Sequence, residues 1–325
     1  MQSIINNLSD TSLSEGGLYG CVVTRDLPTG QGSPTLAVRL HTISEKTVDG
    51  TLRETTVLEK HLPVGKSLRE LAAYRLLSSV EPIVQGEVSH HPVVYEIKNT
   101  GDVVRIFMEY ADGKELNLED VSARRAGRAL GAMSRRYGQV FPDAAPFNRG
   151  RAASPILGTD LQTVAEILKS HERREKLLSV VEDFNSSTDL IRQWQSAAER
   201  CLCHGDLKPQ NLIVVNSGNK FRFYFIDWAA VSWDCIGSDI GGLFHADSFA
   251  KLEAAKESDA VERQMFRGFL SGIGRDYSRS LVQEMALAAN LHFSVRFFSW
   301  AMRSRNRRLL LRSIRRARHV LKSLK

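Results

Sequence analysis

Cys203-His204-Gly205-Asp206-Leu207-Lys208-Pro209-Gln210-Asn211, followed by Phe225-Ile226-Asp227-Trp228, decides the reading of this chain. Between the two lie Leu212-Ile213-Val214-Val215, the polar Asn216-Ser217-Gly218-Asn219, and Phe221-Arg222-Phe223-Tyr224-Phe225-Ile226, which read as strand, turn and strand. The spacing predicts a hairpin. Folding it back carries Asp227, at the end of the second strand, toward Asn211, just before the first. Two oxygen ligands distant in sequence then converge on a hard divalent cation. Mg2+ suits such a pair, because it keeps waters and phosphate oxygens in its other positions and asks few ligands of the protein. Asp206 is left for a separate role: in a phosphoryl transfer it lies near the acceptor hydroxyl, orienting it and accepting its proton late in a loose transition state.

His204-Gly205-Asp206-x-x-x-x-Asn211 with Ile226-Asp227-Trp228 resembles the aminoglycoside phosphotransferase and choline kinase family. Its cousins, the protein kinases, carry His-Arg-Asp, a following Asn and then Asp-Phe-Gly. The resemblance implies an α+β, bilobal, protein-kinase-like fold with a small antiparallel β-sheet N-lobe and a larger, mainly helical C-lobe. It also implies that Asp206 is the catalytic base, that Asn211 and Asp227 hold Mg2+, and that His204 packs beneath the loop to hold its shape. Gly237-Ser238-Asp239-Ile240-Gly241 resembles the family's Gly-x-Asp-Leu segment, so Asp239 is expected to tie down the catalytic loop. Two departures stand out. Lys208-Pro209-Gln210-Asn211 is the protein-kinase wording, and Ala229 stands where the family often has Glu. Lys208 is expected to reach the transferred phosphoryl group and offset its charge.

A nucleotide-holding lobe for ATP must then precede the loop. Leu18 to Arg25 and Thr35 to Thr42 have strand composition, with Pro28, Gly30, Gly32 and Pro34 marking the bend between them. Glu15-Gly16-Gly17-Leu18-Tyr19-Gly20 either lays the N–H groups of Gly16 and Gly17 over phosphates or is a plain turn. Thr55-Thr56-Val57-Leu58-Glu59-Lys60 resembles the family's Val-Leu-Lys strand with one extra residue, Glu59, and its period of two puts Leu58 and Lys60 on one face. Ser67 to Leu77 reads as a helix. Its Glu70 either completes a capping box with Ser67 or orients the Lys60 ammonium toward ATP, and the resemblance favours the second. Arg39 competes with Lys60, but no helix with a Glu follows it directly, and a guanidinium fork is no substitute for the lysine point charge. Val103 to Met108 is a further strand. Glu109-Tyr110-Ala111 after it is expected to be the hinge that meets the adenine edge through main chain, which divides the chain into a nucleotide-binding lobe, 1–110, and a catalytic and substrate-binding lobe, 111–325.

The remainder reads as mostly helical. Ala126, Leu130, Met133 and Tyr137 recur at helical spacing, as do Leu190, Trp194 and Ala198, and both stripes are expected in the core. Phe141 to Pro155 reads as a loop, and the stretch from about Gly158 to Arg200 as substrate-facing helices.

Composition bounds these readings. At 325 residues and 42% hydrophobic content the chain can bury a sizeable core. It lacks a basic, apolar leader and any run near the roughly 18 apolar residues of a membrane span, so a cytoplasmic place is expected. Four cysteines, Cys21, Cys201, Cys203 and Cys235, suit a reducing compartment, and Cys201, Cys203 and His204 read as packing residues rather than a zinc site. Of the net charge of +7, the excess lies at one end: Met285 to Lys325 holds eleven Arg or Lys and no Asp or Glu. Leu310, Ile314, Ala317, Leu321 and Leu324 recur at helical spacing there, among Arg307, Arg308, Arg312, Arg315, Arg316 and Arg318. Three uses stay open for this segment: docking by its apolar stripe, engagement of anionic membrane or nucleic acid, and recognition of an anionic substrate or partner. Such basicity also repels a polycationic acceptor.

The reading is an ATP- and Mg2+-dependent phosphotransferase acting on a hydroxyl of a small molecule of aminoglycoside, choline or related type. The alternatives are a protein kinase, against which Gly205 in place of arginine argues, and an inactive nucleotide-binding protein that engages membrane or nucleic acid through the basic tail. The acceptor and the oligomeric state are open in the sequence.

Overall fold

The structure, a computed structural model, describes residues 19–27, 35–46, 51–64, 68–80, 88–118, 121–140, 147, 161–218, 220–243, 255–274 and 278–324. The chain divides into two units, one of Met1–Gly86, His90–Lys114 and Ile213–Ala229, the other of Glu87–Ser89, Glu115–Leu212 and Ala230–Lys325.

In the first unit the alternating segments form strands β1 (Tyr19–Leu27), β2 (Ala37–Lys46) and β3 (Leu52–Pro63), followed by helix α1 (Leu68–Ser78). After the short β4 (Val88–His90) come β5 (Val94–Thr100) and β6 (Val103–Glu109). Five of these strands make an antiparallel sheet in the order β1-β2-β3-β6-β5. β3 lies at its centre, with Val38 and Ile106 opposite Lys60 and with Arg39 and Phe107 opposite Glu59. Because side chains alternate, Glu59 and Lys60 leave opposite faces. Ile43, Val57 and Phe107 form an apolar cluster on this sheet, with Tyr95 packed against it. α1 buries Glu70, Leu71, Ala73, Tyr74 and Leu77, a helical stripe that contains one carboxylate. The predicted hairpin is present as β9 (Leu212–Ser217) and β10 (Lys220–Phe225), neighbours in one sheet, the former preceded along the chain by β7 (Lys114–Glu115) and β8 (Arg200–Cys203).

The second unit is mainly helical: α2 (Ala123–Val140), α3 (Leu161–Ile167), α4 (Arg174–Ser186), α5 (Thr188–Ala197), α6 (Ser238–Leu243), α7 (Ala255–Ile273), α8 (Arg279–Arg303) and α9 (Arg307–Leu324), with β11 (Ser232–Cys235) paired antiparallel to β8. Ala126, Leu130, Met133 and Tyr137 are buried, as their spacing predicts. α2 and α7 cross closely, because Gly127 and Gly131 lie on the Met265 and Phe269 carbonyls while Gly268 and Gly272 lie on those of Arg124 and Arg128, where any Cβ would collide with backbone. The other predicted stripe needs correction. Leu190 is 45% exposed, and α5 instead buries Thr188 and Ile191, one residue along, which turns the inner face by about 100°.

α9 is docked by Leu309, Leu310, Ile314, Ala317, Val320 and Leu321. Arg312 and Arg316 on the same helix reach the buried Glu262 of α7, Arg312 at 3.2 Å. Arg307, Arg308, Arg315 and Arg318 stay exposed. Cys201, Cys203 and Cys235 are buried around β8 and β11, with the Cys201 and Cys203 sulfurs 3.6 Å apart. That contact, together with burial, pushes the Cys203 thiol well above its ordinary pKa, and such a thiol is inert packing rather than a thiolate ligand. Among the described residues no helix is long and apolar enough to cross a membrane.

Candidate active site

Each unit holds one set of candidate residues. In the first, Lys60 Nζ donates to Glu70 Oε1 and to Asp227 Oδ1, the latter at 3.1 Å. Glu70 comes from α1, so of its two sequence readings the structure shows the ion pair with Lys60; Ser67 lies outside the described residues. Burial by itself opposes the charge on Lys60, but the carboxylates of Glu70 and Asp227 beside it outweigh that and raise its pKa above the ordinary lysine value. Burial pushes the Tyr74 phenol up, which keeps it neutral beside the pair.

Asp227 differs from its partners in two respects. Its side chain is 42% exposed, against 10% for Lys60 and 3% for Glu70. Its φ is 63°, a left-handed conformation that Asp tolerates better than most residues and that is commonly retained where function requires it. Trp228 anchors this turn: it is fully buried, and its Nε1–H donates to the Phe225 carbonyl at 2.7 Å. A carboxylate is thereby presented at the end of β10 with one oxygen on Lys60.

The other expected nucleotide contacts are placed as follows. Glu109 ends β6; its N–H donates to the Val93 carbonyl at 2.8 Å and its carboxylate accepts from Tyr224 Oη at 2.9 Å and from the Val93 N–H at 3.2 Å. Tyr110 and Ala111 follow it outside the sheet, with the Ala111 carbonyl accepting from the Gly113 N–H at 2.9 Å. Arg39 faces Glu59 across β2 and β3 rather than Lys60, and it pairs with Asp26 at 3.1 Å. Gly16 and Gly17 lie outside the described residues.

In the second unit, the loop after β8 is fixed almost entirely through its backbone. Asp239, in the first turn of α6, accepts from the His204 N–H at 2.7 Å and from the Gly205 N–H at 2.8 Å. His204 is fully buried, and its Nδ1 accepts from the Asp206 N–H at 3.4 Å. Gly205 has φ 74°, and a Cβ there would collide with the Ala230 carbonyl, so the position takes no arginine. Asn211 donates from Nδ2 to the Asp206 carbonyl at 2.9 Å, which leaves its side-chain oxygen as the atom suited to a cation. With backbone and amide tied down, the Asp206 carboxylate, 23% exposed, stands at the loop surface.

That carboxylate is paired with cations. Lys208 Nζ lies 3.7 Å from its Oδ2, and Arg296 of α8 pairs with its Oδ1 while donating to the Gly205 carbonyl. Arg296 escaped the sequence reading. It sits ninety residues beyond Asp206 with no motif around it, and its one signal is a cation inside the apolar run Leu291-His292-Phe293-Ser294-Val295-Arg296-Phe297-Phe298.

The donor chemistry fits Mg2+. Asn211, in the second unit, presents an amide oxygen and Asp227, in the first, a carboxylate, and each is by its chemistry a hard donor of the kind that ion takes.

Residues 29–277 match the model of the phosphotransferase enzyme family. A search of curated proteins finds no match. Among solved structures the chain is similar to an aminoglycoside phosphotransferase from Alicyclobacillus acidocaldarius, with 10% identity, 94% of this chain and 93% of that one covered, and a TM-score of 0.55. It is similar to a choline kinase from Cryptosporidium parvum, with 14% identity, 93% and 88% covered, and a TM-score of 0.51. It is also similar to amicoumacin kinase hAmiN, solved with AMP-PNP, Ca2+ and Ami, with 12% identity, 99% and 93% covered, and a TM-score of 0.51.

Proposed function

Because the chain belongs to the phosphotransferase enzyme family and has an α+β, protein-kinase-like fold, we propose that it is an ATP- and Mg2+-dependent kinase that moves the γ-phosphoryl group to a hydroxyl of a small molecule. The observation that carries this reading is the buried Lys60 ammonium, held between Glu70 and a half-exposed Asp227 in a left-handed turn. A cation so enclosed is fixed in place without being neutralised, which is what a phosphate contact requires.

The roles follow from chemistry. Lys60 meets the ATP phosphates, and Glu70 sets its direction. Main chain at Glu109, Tyr110 and Ala111 receives the base, and Lys208 offsets charge on the transferred group. Asn211 and Asp227 hold Mg2+, which when bound neutralises charge on the phosphate oxygens. Asp206 orients the acceptor hydroxyl and takes its proton, while Asp239 and His204 keep the loop rigid so that the carboxylate does not wander from the attacking line. The acceptor oxygen forms a bond to Pγ, the bond from Pγ to the bridging oxygen breaks, and its electron pair leaves with ADP. The amicoumacin kinase was solved with a nucleotide analogue and a divalent cation, which supports the same pair of ligands here, and the cytoplasm, where ATP is abundant, is the compartment this reading assigns.

The test is ATP consumption by the purified full chain with Mg2+ against alcohols of varied class, alongside Asp206→Asn. Acceptor-dependent ADP release that falls at least about a hundredfold in Asp206→Asn supports the reading. Equal rates in the two proteins would remove Asp206 from the reaction.

A further inference from the structure

Asp206 is held by two cations of its own unit, and they bear on what the acceptor is. Arg296 projects from the middle of α8, which is buried at Leu291, Phe293, Val295 and Phe297, so its base is set in the core. Its guanidinium lies 5.8 Å from the Phe297 ring, donates to the Gly205 carbonyl and pairs with Asp206. Lys208 stands on the other carboxylate oxygen, 3.7 Å away. Arg296 also lines a recess with Asp234, Ser238 and His292. Asp234 is buried, and its Oδ1 accepts from the adjacent Cys235 N–H at 2.7 Å within β11. A guanidinium edge matches a carboxylate or phosphate in shape and charge and repels an ammonium.

We propose that Arg296 selects an acceptor alcohol that carries a carboxylate or phosphate close to its hydroxyl, an inference that rests on the phosphotransferase reading above. Without acceptor, Asp206 Oδ1 occupies the Nη2 edge of the guanidinium, whose Nη1 stays on the Gly205 carbonyl. The anionic group of the acceptor takes that edge over, and Asp206 is released to the hydroxyl and its proton. Recognition and activation are then one exchange of partners on one guanidinium. An amino alcohol or aminoglycoside leaves Asp206 paired and brings its own positive charge against Arg296 and Lys208.

The experiment uses the full chain with ATP and Mg2+ and sets of alcohols that share a skeleton but carry a carboxylate, a phosphate, a carboxamide or an ammonium beside the hydroxyl. The carboxylate and phosphate arms tell the two anions apart. The anionic member is expected to exceed its carboxamide partner in kcat/KM by at least about thirtyfold. Arg296→Gln should erase that advantage mainly through KM, and Arg296→Lys, which keeps a donor for Gly205, should restore part of it. Thermal melting checks that both variants are folded, and the preference of the unsubstituted protein decides the matter if they are not. Preference for the ammonium member, or an anion preference unchanged in Arg296→Gln, overturns the inference and leaves the phosphotransferase reading standing. No transfer to any member, with no thermal shift on adding ATP and Mg2+, overturns that reading and this inference with it.

Discussion

Strand β3 carries Glu59 on one face and Lys60 on the other, and both are buried charges ringed by opposite charge. Glu59 is fully buried and receives His41 Nε2–H and His61 Nε2–H, each at 2.8 Å, and the Arg105 guanidinium. Arg105 is in turn 5.2 Å from the Phe107 ring. Lys60 has Glu70 and Asp227. By burial and pairing alone the two clusters look alike. They differ in how they end. The Glu59 cluster is closed, since its carboxylate is spent on three donors inside the sheet. The Lys60 cluster ends in Asp227, a carboxylate 42% exposed in a left-handed turn. A buried ion pair is weak grounds for function; one whose outer member is part-exposed at a strained turn is stronger.

The comparison breaks most sharply at Asp227. Asp227→Ala is expected to lower Mg2+-dependent ATP turnover by at least about a thousandfold with little change in melting temperature, and a wild-type rate would mean that the exposed end of the cluster is idle. Glu59→Gln should do the reverse: a loss of about 3 kcal/mol in denaturant unfolding, because Arg105 and two histidines lose their anion, with near-normal kcat in the molecules that remain folded. If instead catalysis falls and stability holds, the two faces have been assigned the wrong way round.

Acid titration sharpens the same contrast. Burial opposes the charge on Glu59, but His41, Arg105 and His61 outweigh it and hold the carboxyl down at about 2, against 4.5 in the unfolded chain. A group whose folded pKa is depressed stabilises fully above its unfolded value and loses that contribution as pH falls through the folded one. Stability worth at most about 3 kcal/mol should therefore drain away between pH 4.5 and 2, and Glu59→Gln should flatten the curve in this window. A smaller effect is expected at Glu70. Glu70→Gln keeps a hydrogen bond to Lys60 without the charge and should reduce turnover by about tenfold to a hundredfold, read as kcat at saturating ATP. The smallest belongs to Leu190→Ala, which should shift unfolding by no more than about 0.5 kcal/mol, because that side chain faces solvent.

Much of the fold was legible. The strand at Thr55 to Lys60 appears within Leu52–Pro63, the helix over Ser67 to Leu77 as Leu68–Ser78, and the hairpin between Asn211 and Asp227 as β9 and β10. Those signals are local: a period of two, a helical stripe, a polar turn. Leu190 shows where periodicity fails, since α5 is ten residues long and a shift of one residue still leaves a plausible apolar face. Glu59 appeared only as one extra residue before the lysine, and nothing local announces that a carboxylate is to be neutralised from strands on both sides.

By itself the sequence determined the residue types and spacings of the loop from Cys203 to Asn211, the strand–turn–strand after it, and the glycine at 205, because motif and turn chemistry act over a few residues. Only the tertiary structure decided that Glu70 meets Lys60, that Asp239 takes the His204 and Gly205 amides, and that Arg296 lies on Asp206. Those pairings join residues 10 to 90 positions apart. They depend on which helix faces pack together, and hydrophobic period specifies that a face is buried without specifying what it is buried against.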